Sequence, residues 1–406
     1  MTVDEPDEHR STANVQGRIK WLLRGLDSYE ITELCCESHQ AAIFRGRLRD
    51  KELYVLIKVS RNGNGQSTSW ISRDYDITHT SRLKCAAKVL AIERADDGPA
   101  LVYADEGGGP LETLLAGGPL QVDTALLIGS ALADAADELH KQRLVHGNLN
   151  TSTVWFSAPA AVRILDFGRT RASVDSPFET LEGLADIRYL APEQTGRTPQ
   201  GVDHRTDIYA IGIILFRLLT VELPFDGIDP LRVADAHLTI EPKFPPKLLN
   251  SLPGPLVNLI LKCLAKEPGA RYFSANGLRA DLLRCLSEWR LTRAIGDFAL
   301  GQHDAPASLQ IPTKLYGREH DTGLLKDFVR SARRAQPSVL LVNGPPGVGK
   351  STFLGQLASL VRRENGRFAS GKFDQFKRNV PHFSLVQAFH QLVDQLLAGP
   401  EDQMAV

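Results

Sequence analysis

Asn343-Gly344-Pro345-Pro346-Gly347-Val348-Gly349-Lys350-Ser351-Thr352 is a glycine-rich turn ending in a lysine and two hydroxyls. Its flanks give these letters a structural meaning. The apolar run Ser338 to Val342 reads as a buried parallel strand, and Phe353 to Val361 as a helix with one apolar face. Strand, glycine loop and helix in that order form a phosphate-binding loop. Gly344, Gly347 and Gly349 let the backbone curl until several N–H groups face one phosphate. The helix N-terminus, directly after Thr352, adds positive potential. Lys350 is expected at the β- and γ-phosphates of a nucleotide, and the Ser351 hydroxyl on Mg²⁺. A surface turn that carries a lysine by chance would lack these flanks.

Composition sets the outer limits. The chain has 406 residues, 43% hydrophobic and 23% charged, enough for two or three globular domains. A net charge of −1 offers no overall attraction to nucleic acid or to an anionic membrane. Arg45, Arg47, Arg49 and Lys51 alternate along one strand end and read as a solvated face. The five cysteines include no CxxC and no metal-ligand spacing, which fits reduced thiols and a cytoplasmic setting. The acidic N-terminus is no signal peptide. The apolar run Ile208 to Leu219 holds Arg217 and is too short to span a bilayer, so it reads as a core helix.

Upstream of the glycine loop the text divides into segments. Residues 1–28 read as a lead-in with a short helix around Ile19 to Leu26. Residues 29–115 favour strands at Ala41–Leu48, Leu53–Val59, Lys88–Arg94 and Ala100–Ala104, interrupted by a helix near Ser69 to Ser81. Residues 116–290 favour helices, among them Ala125–Lys141, Leu256–Ala265 and Leu278–Leu286. A stretch of Gly, Asp, Ala and Pro between Gly296 and Pro312 marks a linker over 291–314. The α/β unit then occupies 315–406.

The β-rich and helical segments together carry an ordered set of motifs. Val55-Leu56-Ile57-Lys58 lies on the expected strand Leu53–Val59, where Leu56 and Lys58 share a face. His146-Gly147-Asn148-Leu149-Asn150-Thr151-Ser152-Thr153 follows, then Asp166-Phe167-Gly168 after the apolar run Val162–Leu165, then Ala191-Pro192-Glu193. Residues from about Tyr29 to Trp289 thereby resemble eukaryotic-type Ser/Thr protein kinases. The resemblance implies an α+β two-lobed protein kinase-like fold, followed by an incomplete α/β P-loop NTPase domain. It implies that Lys58 contacts the α/β-phosphates of ATP and pairs with Asp74, where kinases use Glu. It assigns His146 and Asn148 to the catalytic loop and Asp166 to Mg²⁺. Asp207 is expected to anchor that loop, and Glu193 to pair with Arg271.

Departures from the family fall on the chemistry. Asn148 stands where the catalytic base is a carboxylate, and an amide takes no proton. Thr153 replaces the Asn that holds the second Mg²⁺ and is a shorter candidate ligand. Leu34 to Arg45 contains no glycine, although kinases place a glycine-rich loop over the phosphates there. Leu56 replaces the small residue that roofs adenine. Asp186 occupies the place of a Thr that bridges catalytic groups. Thr170, Ser173, Ser176 and Thr180 read as solvated loop hydroxyls, the alternative being phosphoacceptors.

The C-terminal part carries resemblances of its own. Tyr316-Gly317-Arg318-Glu319 resembles the entry motif of AAA/STAND-type ATPases. With Gly371-Lys372-Phe373-Asp374-Gln375-Phe376-Lys377-Arg378-Asn379-Val380-Pro381, it resembles large microbial signalling proteins that join a kinase-like domain, an AAA-type ATPase, a sensor and a histidine kinase. No apolar strand ending in acids follows Thr352, so a fragment that binds phosphate without efficient hydrolysis is expected. Three readings stay open. The chain is a pseudokinase scaffold that binds ATP and a protein partner, a slow Ser/Thr kinase acting on a protein substrate, or a decayed remnant of a multidomain histidine kinase.

Overall fold

The computed structural model describes residues 25–37, 41–61, 65–95, 98–157, 161–172, 186–198, 200–249, 251–304, 319–332 and parts of 339–392. The small lobe is built on five antiparallel strands: β1 (Tyr29–Glu37), β2 (Ala41–Leu48), β3 (Leu53–Ser60), β4 (Val89–Ala95) and β5 (Gly98–Ala104). Their order in the sheet is β1-β2-β3-β5-β4. Helix α1 (Gly65–Thr80) connects β3 to β4.

Period-two alternation assigns each strand two different faces. Phe44, Val55, Ile57, Val59, Ala100 and Val102 form one buried cluster with Leu26 and Tyr29. Ile43, Leu56, Leu101 and Tyr103 point the other way, into a second cluster with Ile71 of α1 and with Trp155 and Leu165 of the large lobe. Lys58 shares that second face with Leu56, as the spacing predicts. A one-residue slip of β3 would carry the lysine into the apolar cluster on the opposite face.

The large lobe adds α2 (Leu111–Leu114) and the long α3 (Val122–Lys141). Short strands flank them: β6 (Gly109–Pro110) just before α2, then β7 (Leu144–Val145), β8 (Val154–Ser157), β9 (Ala161–Ile164) and β10 (Arg171–Ala172) after α3. Then come α4 (Arg205–Thr220), α5 (Pro230–Thr239), α6 (Pro246–Leu249), α7 (Gly254–Cys263) and α8 (Ala275–Thr292). Ile208 to Leu219 is the centre of α4 and is buried almost all round, apart from Arg217. It packs within one core that also takes in α3, α7 and α8.

Several expectations change. Among the described residues, β1 adds a strand that the text did not mark, with bulges between Ile31 and Glu33 and between Leu34 and Cys36. Leu26 is not helical, and the rest of the expected helix around Ile19 lies outside the described residues. Residues 291–304 do not run free between domains. Thr292 ends α8, Ile295 is buried in the large-lobe core, and Phe298 and Leu300 pack against it. Asp304 accepts from the backbone N–H groups of Phe273 and Ser274 and from Ser274 Oγ, at 2.5, 2.8 and 2.9 Å. Gly277 leaves room for it, since a Cβ there would strike the Asp304 carboxylate. The polar letters correctly announce irregular backbone, but hydrogen bonds hold that backbone in place.

In the C-terminal part, α9 (Glu319–Ala332) buries Leu325 and Val329. The strand expected over Ser338–Val342 is not observed. Val339 to Val342 carry no strand pairing, and Val339 and Leu341 are exposed. A parallel strand is stabilised by partners on its edges, and the described residues of this part offer none. Among the described residues after the glycine loop, Lys350, Phe353, Leu354, Leu357, Leu360 and Val361 are helical, as the spacing predicts.

Candidate functional site

The cleft between the lobes is organised by two acids that converge on one lysine. Lys58 Nζ donates to Asp74 Oδ2 at 2.9 Å and to Asp166 Oδ1 at 2.5 Å. Asp74 belongs to α1, and Tyr103 of β5 donates its hydroxyl to the same Oδ2 at 2.7 Å. The shorter Asp therefore reaches the lysine that kinases engage with Glu. Burial disfavours the ammonium, but the charges of Asp166 and Asp74 outweigh it and hold Lys58 above its ordinary pKa. Burial likewise pushes Asp166 up, and Lys58 more than reverses it, so this carboxyl titrates below the usual range.

Asp166 has a left-handed backbone, φ 67° and ψ 61°, a conformation that costs a non-glycine residue about 1–2 kcal/mol. The turn it makes lets the next residues pass close to α1. A Cβ on Gly168 would lie 2.7 Å from the carbonyl oxygen of Trp70, so only glycine fits.

Asn148 donates its side-chain N–H to Asp166 Oδ2 at 2.9 Å. Asn150 donates to Asn148 Oδ1 at 3.3 Å and accepts, through its own Oδ1, from the backbone of Ser152 and Thr153. Thr153 Oγ1 donates to the Asn148 carbonyl at 3.0 Å and accepts from the Asn150 N–H at 3.1 Å. These bonds tie the loop to itself and leave Asp166 with both oxygens engaged. The expected metal pair of Asp166 and Thr153 does not fit this geometry. The threonine hydroxyl is turned into its own loop, whereas each Asp166 oxygen accepts one hydrogen bond and keeps a further lone pair that a cation could use.

Asp207 of α4 holds the loop from behind. It accepts from the N–H groups of His146 and Gly147 at 2.9 and 2.8 Å, and contacts His140 Nε2 at 3.0 Å. Gly147 can serve here because its φ is 70°. Burial raises the Asp207 pKa, and the His140 contact outweighs that and lowers it. His146 is fully buried, with Nε2 3.3 Å from the Leu165 carbonyl and its ring edge-on to Phe167. Burial keeps its pKa below the ordinary histidine value.

Glu193 and Arg271 form the expected bidentate pair, at 2.7 and 2.8 Å, with neither side chain appreciably exposed. Thr206 adds a donor to Glu193 Oε1, and Arg271 spends its other N–H groups on the carbonyls of Ala265, Arg205 and Lys266.

Other expected positions behave differently. Asp186 caps its own turn and pairs with Arg188 at 2.7 Å, and among the described residues its hydrogen bonds go to Arg188 rather than to the Asn148 loop. Gln194 makes that link instead, donating to the Gly147 carbonyl at 2.8 Å. Thr170 is buried rather than solvated, while Ser173, Ser176 and Thr180 lie outside the described residues. Arg45 is not simply a solvated charge. It reaches Asp105 at 2.7 Å, Glu33 at 2.9 Å and the Gly108 carbonyl at 2.6 Å, next to the segment that joins the lobes. Two features of the cleft left no mark in the text: Tyr103 on Asp74, and the burial of Trp155, whose indole N–H has no hydrogen-bond partner.

In the glycine loop, Lys350 folds its ammonium onto the carbonyls of Gly344 and Pro345 at 2.7 and 2.9 Å. That places a cation at the helix start beside the loop, an arrangement compatible with a phosphate. Gly347, Gly349, Ser351 and Thr352 lie outside the described residues. Among the described residues, no helix is long and apolar enough to cross a membrane.

Comparison with known proteins agrees with this geometry. The family description "Protein kinase domain" matches residues 31–282, and "AAA ATPase domain" matches residues 314–405. Hybrid signal transduction histidine kinase G of Dictyostelium discoideum is 31% identical over 230 residues, which is 52% of this chain and 7% of that protein. A probable serine/threonine-protein kinase of Clostridium perfringens is 27% identical over 260 residues, 63% of this chain and 38% of the relative. Serine/threonine-protein kinase PknB of Mycobacterium tuberculosis is 35% identical over 170 residues, 41% of this chain and 27% of the relative. The chain thus spans well under half the length of each of these relatives. With two lobes meeting at Lys58 and Asp166 and a kinase match over most of its length, the chain belongs to the protein kinase family and continues into an AAA ATPase domain region.

Proposed function

We propose that the kinase domain is a pseudokinase, a signalling module impaired in phosphoryl transfer and coupled to the nucleotide-binding AAA region. The observation that carries this reading is the bond from Asn148 Nδ2 to Asp166 Oδ2. A catalytic base must accept a proton from the substrate hydroxyl. Here the group in its place is an amide whose N–H is committed to the neighbouring acid. Loss of a positioned base costs about 10²–10⁴ in rate. The retracted Thr153 hydroxyl and the absence of glycine from Leu34 to Arg45 remove further support for the phosphates.

A second reading, a slow Ser/Thr protein kinase, rests on the intact cluster of Lys58, Asp74 and Asp166. Protein kinases as a family use ATP and Mg²⁺. In this reading the two would sit at Lys58 and Asp166, with a protein hydroxyl as acceptor. In the AAA region Lys350, Ser351, Thr352 and the loop glycines would hold a second nucleotide. The five free thiols suit a cytoplasmic setting.

Radiolabelled ATP with the full chain and generic protein substrates decides between these readings. The pseudokinase reading expects no incorporation that depends on Lys58. Label that appears with the wild type and disappears with Lys58→Ala overturns it.

A further inference from the structure

Trp155 stands at the base of the cleft. It follows the Asn148–Thr153 loop on β8, pairs with Pro110 of β6 on one side and Arg163 of β9 on the other, and is 3% exposed. The indole belongs to the cluster of Ile43, Leu56, Leu101, Tyr103 and Leu165, so it fills space between the underside of the small sheet and the residue before Asp166. Across β2 and β3, Ile43 pairs with Lys58 and Arg45 with Leu56. The ring therefore occupies the apolar compartment bounded by the strand face that presents Lys58.

The compartment is also shut from outside. The Arg45 guanidinium lies 5.8 Å from the centre of the Trp155 ring and is tied to Asp105 and Gly108, where the chain passes from one lobe to the other. From β1, Cys36 Sγ reaches the Ser152 carbonyl at 3.8 Å. The indole N–H is buried without an acceptor, so this seat satisfies the ring's apolar surface but not its polar edge.

We propose that Trp155 is an internal occupant of the nucleotide cleft. Its flat aromatic ring takes the apolar slot beside Lys58 that the base of a purine nucleotide needs, and nucleotide enters only when the indole leaves. Binding at Lys58 is then weakened by the fraction of time the slot is open. This rests on reading the cleft as a nucleotide site, but not on whether phosphoryl transfer is lost.

The test is ATP affinity, measured by calorimetry on the full chain. Lys350→Ala is present throughout, to remove the glycine-loop site. Adding Trp155→Ala is expected to tighten binding about tenfold or more, as for release of a conformer populated at or below about 10%. Adding Lys58→Ala to that double variant is expected to abolish the gain. Trp155→Leu, which removes the flat ring but keeps the position apolar, serves if the alanine variant does not fold, and a gain in the same direction is expected. Unchanged or weaker affinity in a folded Trp155 variant overturns the proposal, and so does a gain that survives Lys58→Ala. Phosphate incorporation is read separately, so this result and that of the pseudokinase test are distinguishable.

Discussion

In the large lobe, Glu193, Arg271 and Asp207 are each met by partners from several different elements, whereas in the cleft Asn148, Asn150 and Thr153 spend their polar atoms mostly on one another and on Asp166. The first group joins segments far apart in sequence and is what the fold needs. The second group closes a short loop on itself. Family membership therefore resides in the ties that hold the lobe, and these do not depend on what the cleft can do. A protein can keep the first set while changing the second.

Arg271→Ala should break the comparison from the structural side with the largest effect. It leaves Glu193 buried with Thr206 as its remaining side-chain donor, and a loss of about 3–5 kcal/mol is expected. Urea denaturation followed by circular dichroism measures it. A loss below about 1 kcal/mol would mean that the pair is not what holds the Pro192–Thr195 turn to the segment before α8.

Asn148→Asp probes the cleft. A carboxylate there faces Asp166 and loses the 2.9 Å hydrogen bond, so a cost of about 1.5–3 kcal/mol is expected at pH 7. The cost should shrink at acid pH, where one of two adjacent carboxyls holds a proton. Equal destabilisation at pH 7 and pH 4.5 would show that the two side chains do not share a site.

An effect of similar or smaller size is expected from His237, buried under α4 with its Nδ1 2.9 Å from the Tyr209 hydroxyl. Burial, helped by the nearby Lys266 charge, pushes its pKa down to about 3. The unfolded chain takes up this proton near pH 6.5 while the folded chain does not. Stability from this group is thus complete above about pH 6.5 and declines as pH falls towards the folded value. Between pH 7 and pH 5 the decline should be about 2 kcal/mol, and His237→Gln should flatten it. A urea midpoint that rises over this interval in the wild type would contradict the assignment.

Elements with a clean period were legible from the letters alone. Ala41–Leu48 and the start of Leu53–Ser60 fall where alternation puts them, and α3 and α4 follow from their apolar spacing. β1 escaped because its exposed positions and two bulges blur the alternation. α5 escaped too, a short helix capped by Asp229 with only Val233, Ala234 and His237 buried. The apolar run Val339–Val342 misled for the opposite reason, since apolar letters state a preference for burial and not the presence of a neighbour. At the site, Lys58, Asp74 and Asp166 could be named because motifs mark them. Trp155, Gln194 and the inward turn of Thr153 could not, because their roles arise only when β8, the β2–β3 face and the segment around Glu193 meet.

The carboxylate of Asp304 has a practical consequence for anyone dissecting this chain. The kinase match stops at residue 282, inside a helix whose first turn is secured from outside the match. A recombinant piece trimmed to that boundary would lose the clasp on Phe273 and Ser274 along with Ile295 and Phe298, and misbehaviour of such a piece would report on the scissors rather than on the domain. Expression boundaries for the isolated kinase unit belong beyond Asp304.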